Sequence, residues 1–273
     1  ASTCEAACIV GQSLSEPSVF LKIGEENTIS VVVDNDCQLN SRWYSGSGIY
    51  RNVSLLVTDP VHVAHWGIAV TTPEVSAIEA TVDVVTTVEN ETAEPQDAVV
   101  RTHVVSPAGV VLTSNTAEVS MKAGSSHQCR QALEVTDPQL WSPASPTLYR
   151  IETEIEVAGS VVDTASTPFG IRTLSFTADE GFLLNDEETK LRGGCVHHDN
   201  GVMGSAAYAR SEERKVEVLK ASGFNAIRCA HNPPSPAFLD ACDRLGVLVI
   251  DEAFDCWRLG KNPYDYHVAF DDW

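Results

Sequence analysis

Residues 211–252 read SEERKVEVLKASGFNAIRCAHNPPSPAFLDACDRLGVLVIDE, and the order of elements within them decides the fold. Ser211 stands as a helix N-cap ahead of acids in the first turn, and Gly223 follows the last periodic residue, so 211–222 is expected to be helical. FNAIRC (224–229) is a compact apolar strand. Ser235 and Pro236 supply a second N-cap and first helical position. Phe238, Cys242 and Leu245 then fall on one face, and Gly246 stops the helix. VLVIDE (247–252) is a continuous apolar strand that ends in two acids, and TKLRGG (189–194) supplies a strand ahead of the first helix. Strand, helix, strand, helix, strand with short glycine links is a parallel α/β unit whose apolar strands are covered on both faces.

Two folds accept such a unit. An open nucleotide-binding sheet needs a GxGxxG turn leading straight into a helix. The loop here, GGCVHHDNGVMG, has glycines but not that fingerprint. The unit therefore reads as the opening of a (β/α)8 TIM barrel, with three of its eight strands in residues 175–273.

Working towards the N-terminus, the pattern from Phe20 to Thr177 is β. TISVVVDN (28–35), SLLVTD (54–59), VHVAHWGIAV (61–70), ATVDVVTTVEN (80–90) and DAVVRTHVVS (97–106) are β-branched runs separated by turn residues. In the fourth run Val82, Val84 and Val88 share one parity, as a half-buried strand requires. Residues 68–174 hold enough strands for one immunoglobulin-like β-sandwich. Residues 18–67, split off near Gly67, hold too few strands to close a core and read as the last part of a larger β-sandwich. Residues 1–17 are a tail without a structural signal. The fold class is multidomain β plus α/β.

Composition narrows the function. With 38 acidic against 18 basic residues the net charge is −20, which repels phosphate backbones and anionic lipid and argues against a nucleic-acid or membrane-surface partner. No run approaches the ~20 apolar residues of a membrane span. The N-terminus lacks the basic and apolar regions of a signal peptide, so a cytoplasmic, periplasmic or extracellular location all remain open. The eight cysteines form no CxxC or zinc-ribbon spacing and read as free thiols, with a Cys4–Cys8 bridge as the alternative.

In a barrel, residues at strand C-termini and in the loops beyond them face the active site. That places Arg192, His197, His198 and Asp199 after the first strand. Arg228, His231 and Asn232 follow the second, and Asp251, Glu252, Asp255 and Trp257 the third. Each has a plainer reading. Arg192 and Arg228 could pair with Asp251 or Glu252 in an internal ion network. His231 could fix its proline-stiffened loop, HNPPSP, and Trp257 could be core rather than a platform for a sugar ring. One of the adjacent His197 and His198 is expected to contact substrate and the other to pack. Asp251 and Glu252 are adjacent on a strand, so they point to opposite faces and do not flank one scissile bond. A metal-dependent barrel hydrolase using His197, His198, His231 and Asp251, and a non-catalytic carbohydrate-binding sandwich, are the competing functions.

At these residues the sequence resembles glycoside hydrolase family 2, which includes β-galactosidases, β-mannosidases and β-glucuronidases. NSRWYSGSGIYRNVSL (40–55) is similar to the last strands of that family's jelly-roll domain. LWSPASPTLY (140–149) and FGIRTLSF (169–176) are similar to the end of its immunoglobulin-like domain. LRGGCVHHD (191–199), GFNAIRCAHNPP (223–234), CDRLGVLVIDEAFDCW (242–257) and FDDW (270–273) are similar to the opening of its barrel, with HHD and HNPP closest to the β-galactosidase-like branch. The resemblance implies a retaining hydrolase acting on β-linked oligosaccharides or glycosides. His197 and His231 would line the subsite of the non-reducing sugar, with Arg228 and Asp251 beneath it. The family's acid/base glutamate follows the fourth strand and its nucleophile the seventh, so the resemblance implies that neither is in this chain and that the chain by itself is inactive. Cys195 stands where the family often has Asn, and Ala230 where it often has Ser. DEAFDCW replaces the form that holds magnesium in some members, so no cofactor is expected. A three-stranded piece of barrel also leaves an unpaired edge, and a homo-oligomer that covers it is expected.

Overall fold

Val82, Val84 and Val88 are fully buried, as their shared parity requires, and they lie on β2 (Glu79–Asn90). In this computed structural model residues 22, 24–33, 48–253, 255–263, 265, 267 and 270 are described. The 1–17 tail with Cys4 and Cys8, Cys37, residues 40–47 of the 40–55 stretch and residues 271–273 of FDDW lie outside them.

The described residues divide into two units. One comprises Val53–Leu191 with Cys242–Leu248. Its main body is a sandwich of seven antiparallel strands. β1 (Val61–Val75), β2 and β5 (Ser125–Thr136) form one sheet in the order β1-β2-β5. β3 (Gln96–Val105), β4 (Val111–Met121), β6 (Tyr149–Val157) and β7 (Ser160–Phe169) form the other in the order β4-β3-β6-β7. Alternate residues of both sheets meet in two apolar clusters. One is built around Val88, Val100 and Ile155, the other around Val82, Val84 and Ile151. Each such fully buried side chain contributes roughly 1.5–3 kcal/mol relative to exposure. The opposite parity of β2 is not uniformly solvated. Asp83 is nearly buried there, and Arg130 of β5 holds both of its carboxylate oxygens. Trp141 closes one end, its indole N–H donating to the Asp243 carbonyl at 2.8 Å beneath the Arg172 guanidinium at 4.5 Å. Burial lowers the Arg172 pKa, and the charge of Asp243 opposes that shift. A separate antiparallel sheet follows, made of β8 (Leu174–Thr177), β9 (Gly181–Leu184) and β10 (Glu187–Glu188).

The boundary expected near Gly67 falls inside β1. The pairing of β1 with β2 shifts register between Val63 and Ile68, and Trp66 adopts φ +57, so the broken pattern is a bulge within one strand. TISVVV (28–33) and SLLVTD (54–59) are not strands in the structure. β-Branched composition favours an extended chain, but a strand also needs a neighbour for its N–H and C=O groups. Among the described residues neither run has one.

The other unit takes in residues up to Asn52, Arg192–Ala241 and those from Val249 onward. Its sheet runs β11 (Gly193–Val196), β12 (Ala226–Cys229), β13 (Leu248–Ile250), with β12 central and β11 parallel to it. The first strand therefore begins four residues later than TKLRGG predicts. Gly193 lies opposite Ala226, and a side chain at this glycine would run into the Ala226 carbonyl. The first helix, α1 (Ala209–Ala221), also starts earlier than its expected cap. Tyr208 is the cap residue, and the Ser211 hydroxyl donates back to the Tyr208 carbonyl instead. The second helix, α2 (Pro236–Leu245), begins as expected, with the Ser235 hydroxyl accepting from the Phe238 N–H at 3.2 Å.

Candidate active site at the strand ends

Each strand of the parallel sheet stops just before its polar cluster. β11 leads into His197, His198 and Asp199, β12 into Ala230, His231 and Asn232, and β13 into Asp251 and Glu252. Parallel strands in register present their C-terminal ends together, so residues distant in sequence converge at one edge.

Glu252 is the hub. One of its oxygens accepts from Arg228 Nε, and the other lies 2.9 Å from His231 Nδ1. A carboxylate only accepts, so Nδ1 is the donor, which leaves Nε2 of the ring for another partner. Arg228 Nη2 lies 3.5 Å from the same Nδ1, and Nη1 donates to Cys195 Sγ at 3.2 Å. Cys195 sits opposite Arg228 in the β11–β12 register, which is why the two meet. Burial pushes the Glu252 carboxyl up, but the bonds from His231 and Arg228 and the guanidinium charge outweigh it, and the net pKa is lowered. Arg228 is held above its ordinary value by its bond to Cys195 and then by Glu252. Next to it, desolvation raises the Asp251 carboxyl, opposed by the Glu252 backbone and the charge of Arg51.

Around His231 the other histidines arrange themselves differently. The His197 ring lies 6.2 Å from that of His231 at a steep angle. His198 packs against the Tyr50 ring at 5.5 Å. Burial lowers the His198 pKa and Arg51 adds to the effect, while Asn232 and Asp199 oppose it. A small cavity is lined by His197, His198, Asn232, Arg51, Glu212 and Phe238, but not by Glu252, Asp251 or Trp257. α1 holds this region from below. The Lys215 ammonium bonds the His197 carbonyl at 3.1 Å and the nearly buried Glu212 at 3.2 Å, and Asn200 bonds the same Glu212 oxygen.

Two expected residues serve differently from the rest. The backbone of Arg192 holds the turn before β12, accepting from the Asn225 and Ala226 N–H groups, while its side chain stays in solvent. Arg228 alone of the two arginines pairs with Glu252. Trp257 is 60% exposed and lies parallel to Phe270, with ring centroids 6.3 Å apart. Asp255 is half-buried in the same loop.

Sequence reasoning gave no site role to Tyr50, Arg51, Cys195 or the Lys215–Glu212 pair. Arg51 Nη2 donates to the Pro233 carbonyl at 2.6 Å, and the Tyr50 carbonyl accepts from Ala207. Both residues belong to the same unit as the strand ends rather than to the sandwich. Arg51, the one charged residue of GIYRNVSLL (48–56), was the available signal. Among the described residues, His197, His198, His231 and Asp251 do not bring three ligand atoms within reach of one ion. Five cysteines are described, and none of them is in a disulfide. Cys129, Cys229 and Cys242 are buried, Cys195 is exposed and Cys256 is half-buried. Burial, with the charge of Asp251 next, pushes the Cys229 thiol up to about 12.

Comparison with known proteins converges on one family. Residues 61–172 match the family model for glycosyl hydrolases family 2, and residues 177–258 match the TIM barrel domain of that family. A β-galactosidase of Bacteroides ovatus is 43% identical over 254 residues, covering 93% of this chain and 30% of that protein. A putative β-glucuronidase of Formosa agariphila is 37% identical over 257 residues, covering 94% of this chain and 24% of that protein. Among solved structures, a glycosyl hydrolase family 2 member from Bacteroides cellulosilyticus superposes with a TM-score of 0.80 at 46% identity, over 85% of this chain and 30% of its own. The chain thus spans less than a third of the length of these relatives.

Proposed function

We propose, from the premise that this chain belongs to glycosyl hydrolases family 2, that it is part of an enzyme that hydrolyses β-glycosidic bonds, with a β-galactoside as substrate. The strand ends of β11–β13 form one wall of the subsite for the non-reducing sugar. The observation that carries this is the Glu252 hub, which ties the ends of β12 and β13 together and orients His231 with its Nε2 toward a partner outside the hub. In this reading His231 and His197 bond sugar hydroxyls, Trp257 offers a ring face to the sugar, and Arg228 and Asp251 position these groups from beneath. Arg192, His198, Asp199, Asn232 and Asp255 support the loops. Glu252 is committed to two donors and is a positioning residue. The acid/base and nucleophile of a retaining mechanism come from other strands of the barrel. The part of 18–67 that precedes β1 keeps the reading as the C-terminal part of a jelly-roll domain in the whole protein.

The test is hydrolysis of p-nitrophenyl β-galactoside by the whole protein, with the β-glucuronide and β-mannoside in parallel and the anomer followed by NMR. Release of the β-anomer from the galactoside supports the proposal. Preference for the glucuronide would keep the family chemistry and overturn the sugar, and no hydrolysis of any β-glycoside would overturn both. For the chain by itself, we also propose self-association through the parallel sheet, because β11 and β13 each present an unpaired edge among the described residues.

A further inference from the structure

Away from the strand ends, the start of β1 and the end of β2 bring three metal-ligating side chains together. His62 is the cross-strand partner of Glu89, and Glu91 follows two residues later, where the alternation of an extended chain returns a side chain to the same face. One ligand atom from each of His62, Glu89 and Glu91 lies within 4.8 Å of the others. His62 Nε2 is 3.4 Å from Glu89 Oε2. Two ligands of a tetrahedral zinc ion are separated by roughly 3.3 Å when each bond is about 2.0–2.1 Å.

The histidine is what separates this group from an ordinary acidic surface. Its side chain is 7% exposed, and Nδ1 lies 2.8 Å from the Asp59 carbonyl. A carbonyl only accepts, so Nδ1 carries the hydrogen, and in the neutral ring the Nε2 lone pair is aimed at the two carboxylates. A carbonyl that fixes the tautomer in this way is the usual support of a metal-binding imidazole. The backbone on either side is held. Asp59 Oδ1 accepts from the Val61 N–H, Glu91 N–H donates to the Pro60 carbonyl, and Asn90 is buried with its amide on the Glu94 and Lys122 carbonyls.

We propose that His62 Nε2, Glu89 and Glu91 bind one divalent cation of the zinc class, with water completing the coordination, as a clip between the start of β1 and the turn after β2. An imidazole with two carboxylates suits zinc better than calcium or magnesium, which take oxygen ligands alone. A simple His62–Glu89 ion pair would leave Glu91 without a role, and that difference is the basis of the test. The purified chain is stripped with EDTA and titrated with zinc chloride, with uptake measured by atomic emission and affinity by calorimetry. Glu91 is exposed, so Glu91→Gln leaves the metal-free melting temperature unchanged. The expected result is uptake of one zinc that raises the melting temperature, with affinity at least about tenfold weaker in Glu91→Gln and in His62→Gln. Equal affinity in the wild type and Glu91→Gln, or no uptake at micromolar zinc, would overturn the site. Equal uptake of magnesium or calcium with the same sensitivity to Glu91 would overturn the assignment to zinc.

Discussion

Glu252 accepts from the guanidinium of Arg228 and the imidazole of His231, and its carboxyl is held below the ordinary value in consequence. A carboxyl whose folded pKa lies below its unfolded one contributes stability that is complete above the unfolded value and is lost as pH falls through the folded one. Unfolding of wild type and Glu252→Gln by urea should therefore differ most at neutral pH. The difference should shrink once pH drops below about 4.3, the ordinary glutamate value. A constant difference down to pH 2 would contradict the hub. The thiols make a second prediction. Cys195 is open to solvent and Cys229 is pushed up to about 12, so iodoacetamide at pH 8 should label Cys195 and spare Cys229 in the folded protein, read by peptide mapping. Strand-end reasoning named Arg228, His231 and Glu252 and offered an Arg–Glu pair among the options, but not which pair forms or the part of Cys195. Which base meets Glu252 depends on pairing register, and a shift of one residue would turn Arg228 to the other face. Arg51 and Tyr50 escaped for a different reason. Their contacts, to Pro233 and Ala207, are over 150 residues away in sequence, where no local pattern reaches.

At the scale of elements, the same residue type has opposite fates. Val84 is fully buried on β2, and Val32 is 88% exposed in a run of equal β-propensity. Val84→Ala should cost about 1–3 kcal/mol in urea unfolding, and Val32→Ala less than about 0.5 kcal/mol. Equal costs would mean that 28–33 packs on a core after all. Parity on β2 and the cap of α2 were readable in the sequence because both are local, set by side-chain alternation and a single hydroxyl. The boundary placed near Gly67 by counting strands on either side falls on the bulge in β1, where Trp66 adopts φ +57. The apolar runs at 28–33 and 54–59 misled because composition reports fitness for a sheet but not the presence of a neighbouring strand.

As a whole molecule, the chain joins an antiparallel sandwich to a parallel α/β unit, and that order, with the motifs at the strand ends, carries the resemblance to the family whose models it matches. Among the described residues β11 and β13 each present an unpaired edge, which predicts concentration-dependent association in sedimentation velocity, and a single monomeric boundary across a hundredfold concentration range would contradict that. The central claim is that the ends of β11–β13 form a sugar-binding wall organised by Glu252. The most direct measurement is kcat/KM of the whole protein on an aryl β-galactoside for His231→Ala, Glu252→Gln and the double variant. Each single change is predicted to lower kcat/KM by about a hundredfold or more, with the double variant little worse than either, because the two residues act as one unit. Wild-type kcat/KM in His231→Ala, or losses that simply multiply in the double variant, would contradict the account.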